Sequence, residues 1–342
     1  MTGIPNTKIG IMSFAHHHAA GYAAVLREMT GVEVRAADPS TDEADAAGGE
    51  KRGRELAADL GIDYAETYGE LLAWKPDGVI IATENSRHLD AIRLAAGAGA
   101  QILCEKPLAT TVHDARAARE ICNGAGVNLM VAFPVRFNPD FSDLRSAVDA
   151  GRLGDIVAVS GTNNGRIPID TRRWFIDKEL AGGGAIIDHT VHIADLVDAL
   201  FGLAPVRVHA VANHLFGEHE VETGGVVTID YEDGLIATID CSWSRPRHYP
   251  TWGGLTMHVT GTGGLAALDA FAARVEGFTE SGRRPVWLPF GTDVNSLMLA
   301  EFVSAVREGR VAEPGFGSGI RTTQIVEAAY LSVQSGQPVA VA

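Results

Sequence analysis

The first forty residues constrain the fold more than any other stretch. A short apolar run over residues 8–13 is followed by helical spacing over residues 19–29 and a second apolar run over residues 32–37 that closes on Asp38. Strand, helix and strand in that order make a parallel pair, because the helix returns the chain to the edge where it began. An acidic residue closing the second strand, about 25 residues after the first turn, is the layout of a dinucleotide-binding unit. Asp38 is then expected to hold the adenosine ribose hydroxyls and repel a 2′-phosphate, favouring NAD over NADP; simple turn chemistry at a strand end is the alternative.

The glycines that usually cradle the phosphates are replaced. Where G-x-G-x-x-G would stand the chain reads Ser13-Phe14-Ala15-His16-His17-His18, with Gly10 too early and Gly21 too late. Ser13 and Ala15 are small enough to keep part of a tight turn, whereas His18 stands where a glycine usually lets helix pack on strand. His16 and His17, at a helix N-terminus, are expected to donate to a pyrophosphate that backbone amides also attract, and Ser13, Phe14 and Ala15 are counted with them as the cofactor turn. Adjacent histidines suggest a metal site, but sequence neighbours rarely converge on one ion, so no metal is expected.

At 342 residues the chain calls for two domains of about 130 to 200 residues each. A hydrophobic content of 46% is ample for two cores, and a formal charge of −15 argues against nucleic acid or an anionic membrane as partner. Cys104, Cys122 and Cys241 have neither paired nor metal-type spacing, so reduced thiols in a cytoplasm are expected. The polar start over residues 1–7 lacks the apolar core of a signal peptide, and no run approaches the roughly 18 to 20 apolar residues of a membrane span.

Helices are expected over residues 50–59 and 68–74, then a wholly apolar strand at 78–83 of the kind covered on both faces. It ends in polar residues, Thr83, Asn85 and His88 among them, at the carboxyl edge where parallel sheets bind ligands. After a helix at 89–98 and a strand at 101–104 stand Glu105, Lys106 and Pro107, either a lysine aimed into that crevice or an exposed ion pair. A helix at 112–123 and a strand at 128–132 complete the alternation, and residues 133–139, with Arg136 and Asn138, cross to a second domain. Residues 1–132 are thus the dinucleotide-binding domain and 133–342 the substrate-binding and oligomerisation domain. In the latter, strands at 156–161, 206–213, 225–231, 236–243 and 255–260, several joined by glycine turns, indicate a large antiparallel sheet, followed by helices at 294–307 and 319–335.

Inside that second half, Gly182, Gly183 and Gly184 run into a helix on which Asp188 and His192 stand four residues apart. With about 3.6 residues per turn they share a face, beside an apolar stripe of Ile193, Leu196, Val197 and Leu200. A carboxylate and an imidazole on one rigid face suit proton transfer to or from a hydroxyl, although Asp188 could be only a cap.

Several of these segments together resemble the glucose-fructose oxidoreductase and inositol 2-dehydrogenase (Gfo/Idh/MocA) family over essentially the whole chain. The likeness is carried by Asn85 and His88, by Leu103-Cys104-Glu105-Lys106-Pro107-Leu108, by Arg136-Phe137-Asn138-Pro139, by the three glycines with Asp188 and His192, and by Glu301, Phe302 and Tyr330 near the end. It implies a nicotinamide-binding Rossmann domain with a doubly wound parallel sheet. It further implies a second domain on a large, mostly antiparallel sheet flanked by helices, and homodimers or homotetramers formed through that sheet. It assigns Lys106, Asp188 and His192 as the catalytic group. His192 can serve as general base for a carbinol hydroxyl, Lys106 can stabilise the alkoxide, and Asp188 can orient the hydroxyl or the imidazole.

His189, next to Asp188, turns about 100° away around the helix and is expected to support the site from the core rather than to bind zinc. It is grouped with Arg136, Arg166, Arg173 and Trp174 on the substrate side, with Arg172, His248, Tyr249 and Trp252 as further candidates. Aromatic faces with polar neighbours suit a sugar or cyclitol, and the arginines suit an anionic group on it. The leading expectation is an NAD-dependent sugar or polyol dehydrogenase or reductase. Alternatives are a glycosidase that oxidises, eliminates and re-reduces on NAD, and a non-catalytic cofactor- or sugar-binding regulator.

Overall fold

The computed structural model describes residues 6–39, 51–170, 172–280, 284–291 and 293–342; Glu50, expected to open a helix, and residues 1–5 lie outside them. The described chain forms two compact units. The first gathers Met1–Phe133, Pro168–Gly182 and Asn295–Ile320, and the second Pro134–Ile167, Gly183–Val294 and Arg321–Ala342. The first therefore takes in segments from both sides of the division expected at 132/133, whereas the second lies wholly beyond it.

In the first unit, strands β1 (Thr7–Met12), β2 (Val32–Ala37), β3 (Asp63–Ala65), β4 (Gly78–Ile81), β5 (Gln101–Cys104) and β6 (Leu129–Val131) form one sheet in the order β3-β2-β1-β4-β5-β6. Every pair is parallel. Helices α1 (His18–Glu28), α2 (Gly53–Leu60), α3 (Tyr68–Ala73), α4 (His88–Gly97) and α5 (Val112–Ala125) supply the crossovers. Strand order reverses between β1 and β4, and that switch point opens the crevice in which doubly wound sheets hold ligands. Ile9, Ile11, Val79, Ile80, Ile81, Ile102 and Leu103 are wholly buried, as a sheet covered on both faces requires.

The second unit begins with α6 (Pro139–Asp149), whose cap Asn138 accepts from the amides of Asp140 and Phe141. Its sheet uses β7 (Ile156–Gly165), β8 (Pro205–Asn213), β9 (Gly224–Tyr231), β10 (Ile236–Asp240), β11 (Gly253–Gly261), β12 (Gly264–Asp269) and, further on, β15 (Val339–Ala340), in the order β12-β11-β7-β10-β9-β8-β15. Only β7 and β10 run parallel. A separate hairpin joins β13 (Arg274–Thr279) to β14 (Arg284–Pro289). The strand expected to reach Trp243 stops at Asp240, because the Asp240 carboxylate accepts from both Ser242 N (3.1 Å) and Ser242 Oγ (2.7 Å) and turns the chain.

After the short helix α7 (Lys178–Ala181), helix α8 (Ala185–Phe201) lies against β7, β9 and β10. Ile186, Ile193, Leu196, Val197 and Leu200 enter a core with Val159, Val227, Ile229, Ile239 and Met257, each contributing about 1.5–3 kcal/mol by leaving water. Helices α9 (Val294–Glu308) and α10 (Phe316–Ser335) close the chain. No described helix is long and apolar enough to cross a membrane, and the three cysteines are buried and unpaired.

Candidate active site

The turn after β1 keeps a glycine-like shape without glycine. Ser13 adopts φ 76°, a left-handed conformation that costs an L-residue about 1–2 kcal/mol. Its hydroxyl offsets this by donating to Asp38 Oδ1 (2.9 Å) and accepting from Ala15 N (3.0 Å). Phe14 and Ala15 are buried, and Ala15 O accepts from the Trp174 indole at 2.9 Å. Trp174, expected on the substrate side, therefore packs under the phosphate turn of the first unit, stacked on Phe175.

His16, His17 and His18 do converge, contrary to the spacing argument: one ring nitrogen of each lies within 4.8 Å of the others. The turn into α1 stacks His16 on His17 at 4.9 Å and brings His18 to 4.3 Å from each. Among the described residues this is the group that could hold a metal ion. The positive end of α1 nevertheless favours an anion there, and His16 N is tied to Ala82 O (2.9 Å) at the switch point.

Around the same edge, Glu105 and Lys106 are both buried, which removes the reading as an exposed ion pair. Glu105 accepts from Tyr22 OH (2.7 Å) and pairs with His18 Nδ1 (3.0 Å), while its other oxygen takes Lys106 N (3.1 Å). Thr83 is buried, and Asn85 Nδ2 donates to Ala181 O (2.9 Å). His88 Nδ1 donates to Pro107 O (2.9 Å), which steadies the turn that carries Lys106. Asp38 is buried and engaged by Arg52, a residue no sequence motif marks.

Two of these imidazoles make stability depend on pH. Burial pushes His16 well below its ordinary value against the pull of Glu105, and burial lowers His88 against its bond to Pro107 O. A histidine with a depressed folded pKa stays neutral while the unfolded chain takes a proton. Stability is then full above the unfolded value and is lost as pH falls from about 6.5 toward the folded one. Unfolding free energy should drop by up to about 1.4 kcal/mol per pH unit for each histidine. Glu222, raised by burial, acts with the opposite sign, so urea titrations from neutral to mildly acidic pH should compare wild type with His88→Asn. The asparagine keeps a donor for Pro107 O and should remove one histidine's share of the slope; an unchanged slope would exclude His88.

In the second unit, a ring of bonds sets the start of α8. Glu222 accepts from Gly184 N (3.1 Å), Ile186 N (2.9 Å) and Tyr330 OH (2.9 Å), supplying the cap that no side chain of the helix provides. One turn in, Asp188 is held by the indole of Trp243 at 3.0 Å. His189 is 1% exposed, its Nε2 lies 3.1 Å from Asp188 Oδ2 without hydrogen-bond geometry, and its ring stands edge-on to Trp252 at 5.3 Å, so it packs behind the carboxylate. His192 follows, half-buried, on the same helix.

The expected arginines scatter. Arg136 grips Asp195 of α8 through Nε (3.0 Å) and Nη2 (2.5 Å), a bidentate pair that spends its guanidinium on the helix. Arg166 belongs to the second unit, donating to Arg247 O at 3.3 Å, whereas Arg172, buried, and Arg173, exposed, belong to the first. His248 is exposed, and Tyr249 stands edge-on to Trp287 at 5.2 Å. Trp243 and Glu222 went unread in the sequence, because neither lies within one helical turn of the residue it holds.

Comparison with known proteins agrees with this architecture. Residues 14–133 match the model of an oxidoreductase family with an NAD-binding Rossmann fold, and residues 141–267 match a GFO/IDH/MocA C-terminal domain. An inositol 2-dehydrogenase of Rhizobium meliloti is 28% identical over 78% of this chain and 81% of its own length. A D-xylose 1-dehydrogenase (NADP(+)) of Haloferax volcanii is 29% identical over 85% and 89%. The crystal structure of GenD2 from gentamicin A biosynthesis, in complex with NAD, superposes with a TM-score of 0.87 at 26% identity, covering 99% of this chain and 97% of that one. The chain is a member of the Gfo/Idh/MocA family of oxidoreductases.

Proposed function

We propose that this oxidoreductase transfers a hydride between a nicotinamide dinucleotide and a carbinol or ketone carbon of a sugar, sugar acid or cyclitol. The observation that carries this reading is Asp188, fixed by the Trp243 indole on a capped, buried helix one turn before His192. A bound dinucleotide supplies the hydride acceptor or donor. Ser13 to His17, Asp38, Thr83, Asn85, His88, Glu105 and Lys106 frame its place at the switch point. The fit is supported by the left-handed Ser13 turn and by His16, whose buried Nε2 has no hydrogen-bond partner among the described residues. His192 accepts the hydroxyl proton during oxidation and returns it during reduction, Lys106 balances charge on the alkoxide oxygen, and Asp188 orients the hydroxyl or the imidazole. Arg136, Arg166, Arg173, Trp174 and His189 are kept on the substrate side, with Arg136, Trp174 and His189 acting through the groups they hold.

Residues 1–132 serve the dinucleotide and 133–342 the substrate and association. Val211, Val226 and Ile236 are each about half exposed on the face of the large sheet opposite its buried Ala210, Val227 and Ala237, which supports a homodimer or homotetramer formed there, and the cytoplasm is the proposed compartment. Asp38 alone favours NAD, while relatives with NAD bound and with NADP(+) in the name both occur. A panel of sugars and cyclitols incubated with NAD and NADP separately tests the reading. Net accumulation of reduced nicotinamide is expected; product formed without net redox change would replace it with the redox-recycling glycosidase, and no turnover would sink it.

A further inference from the structure

The carboxyl end of β2 does not carry the bare negative charge that its sequence suggests. Asp38 is 1% exposed, and its carboxylate takes four donors. Oδ1 accepts from Ser13 Oγ (2.9 Å) and Arg52 Nη2 (2.8 Å), and Oδ2 accepts from Arg52 Nε (3.1 Å) and Gly53 N (3.1 Å). A carboxylate offers about four lone-pair positions, so all are used. The guanidinium is itself buried, its side chain 5% exposed, and it sits at the N-cap position of α2.

Two consequences follow from this pairing. A ribose diol that needs Asp38 as acceptor must displace a donor already in place, so the aspartate is a weaker anchor for an unphosphorylated ribose than an unpaired one would be. The repulsion by which an acidic residue excludes a 2′-phosphate is also cancelled at contact distance, by the side chain best shaped to grip phosphate oxygens. Resting on the reading that this edge binds a nicotinamide dinucleotide, we propose that Arg52 selects the cofactor and admits the 2′-phosphorylated form, so that the protein uses NADP(H) at least as readily as NAD(H). Asp38 then acts as the holder of Arg52 rather than as the ribose ligand.

Titration of the full-length protein with NADPH and with NADH, followed by calorimetry, tests this. Wild type should bind NADPH at least as tightly as NADH. Arg52→Gln should weaken NADPH by about 10- to 100-fold, as expected for losing charge-assisted bonds, and shift NADH by less than about threefold. Should Arg52→Gln lower the melting temperature too far for titration, Arg52→Lys keeps the charge without the fork and should retain NADPH binding with a steeper loss in salt. Wild type binding NADH more than about tenfold tighter than NADPH would overturn the proposal, as would equal weakening of both nucleotides by Arg52→Gln. Failure of wild type to bind either nucleotide would overturn both this proposal and the functional reading beneath it.

Discussion

His192→Ala should lower kcat by about 10²- to 10⁴-fold while leaving dinucleotide affinity within about threefold of wild type. The imidazole is proposed to carry the hydroxyl proton, and its loss leaves water as the acceptor. Lys106→Ala should cost about 10²- to 10³-fold, the range for removing one donor from a developing oxyanion. If both groups act at one reacting centre, the double variant falls short of the product of the two effects, since residues that work as a unit are not additive. Trp243→Phe keeps the buried ring but removes the indole donor to Asp188, so kcat should fall less than in either single variant. Steady-state kinetics with the best substrate of the panel measures all four. An unaltered kcat in His192→Ala would end the assignment of a base.

Gly184→Ala should be the most damaging single substitution for stability. A Cβ at this position would lie 2.0 Å from the backbone oxygen of Glu222 and 3.0 Å from its carbonyl carbon, and neither can swing aside. That same oxygen accepts from Ala185 N at 3.0 Å, so displacing it also opens the first turn of α8. The loss should exceed about 3–4 kcal/mol, the range reserved for changes that break a buried network or force a backbone apart. Gly183→Ala offers the contrast. There a Cβ would stand 1.8 Å from the Tyr330 hydroxyl and 2.4 Å from its ring carbon Cζ, atoms of a side chain that can shift rather than of the backbone, so Gly183→Ala should cost less than Gly184→Ala. Urea unfolding of both variants decides it. A Gly184→Ala protein within about 1 kcal/mol of wild type would show that α8 is not seated as described.

Much of the first unit was legible because strand and helix periods are written in near neighbours. The wholly apolar 78–81 run became a central strand, and the alternation from residue 8 to residue 131 became a sheet in doubly wound order. The strands that went unread, Asp63–Ala65, Gly264–Asp269, the hairpin from Arg274 to Pro289 and Val339–Ala340, are short or solvent-facing. Little hydrophobic contrast marks such strands, and their pairing is decided by the neighbour that offers an edge.

By itself the sequence determined the alternating elements, the shared face of Asp188 and His192, and the loss of the phosphate-binding glycines. These depend on chemistry within a turn or two of chain. The tertiary structure decided who holds whom. It put Trp243 on Asp188 across 55 positions, Glu222 on the start of α8 across 36 to 38, and Glu105 against Tyr22 across 83. It also returned residues 168–182 and 295–320 to the first unit. A buried carboxylate must find donors wherever the fold supplies them, and no local period encodes which distant residue arrives. Asp38 is the sharpest case: its acidity could be read from its place at the end of β2, but only packing against Arg52 reveals that this charge is already answered.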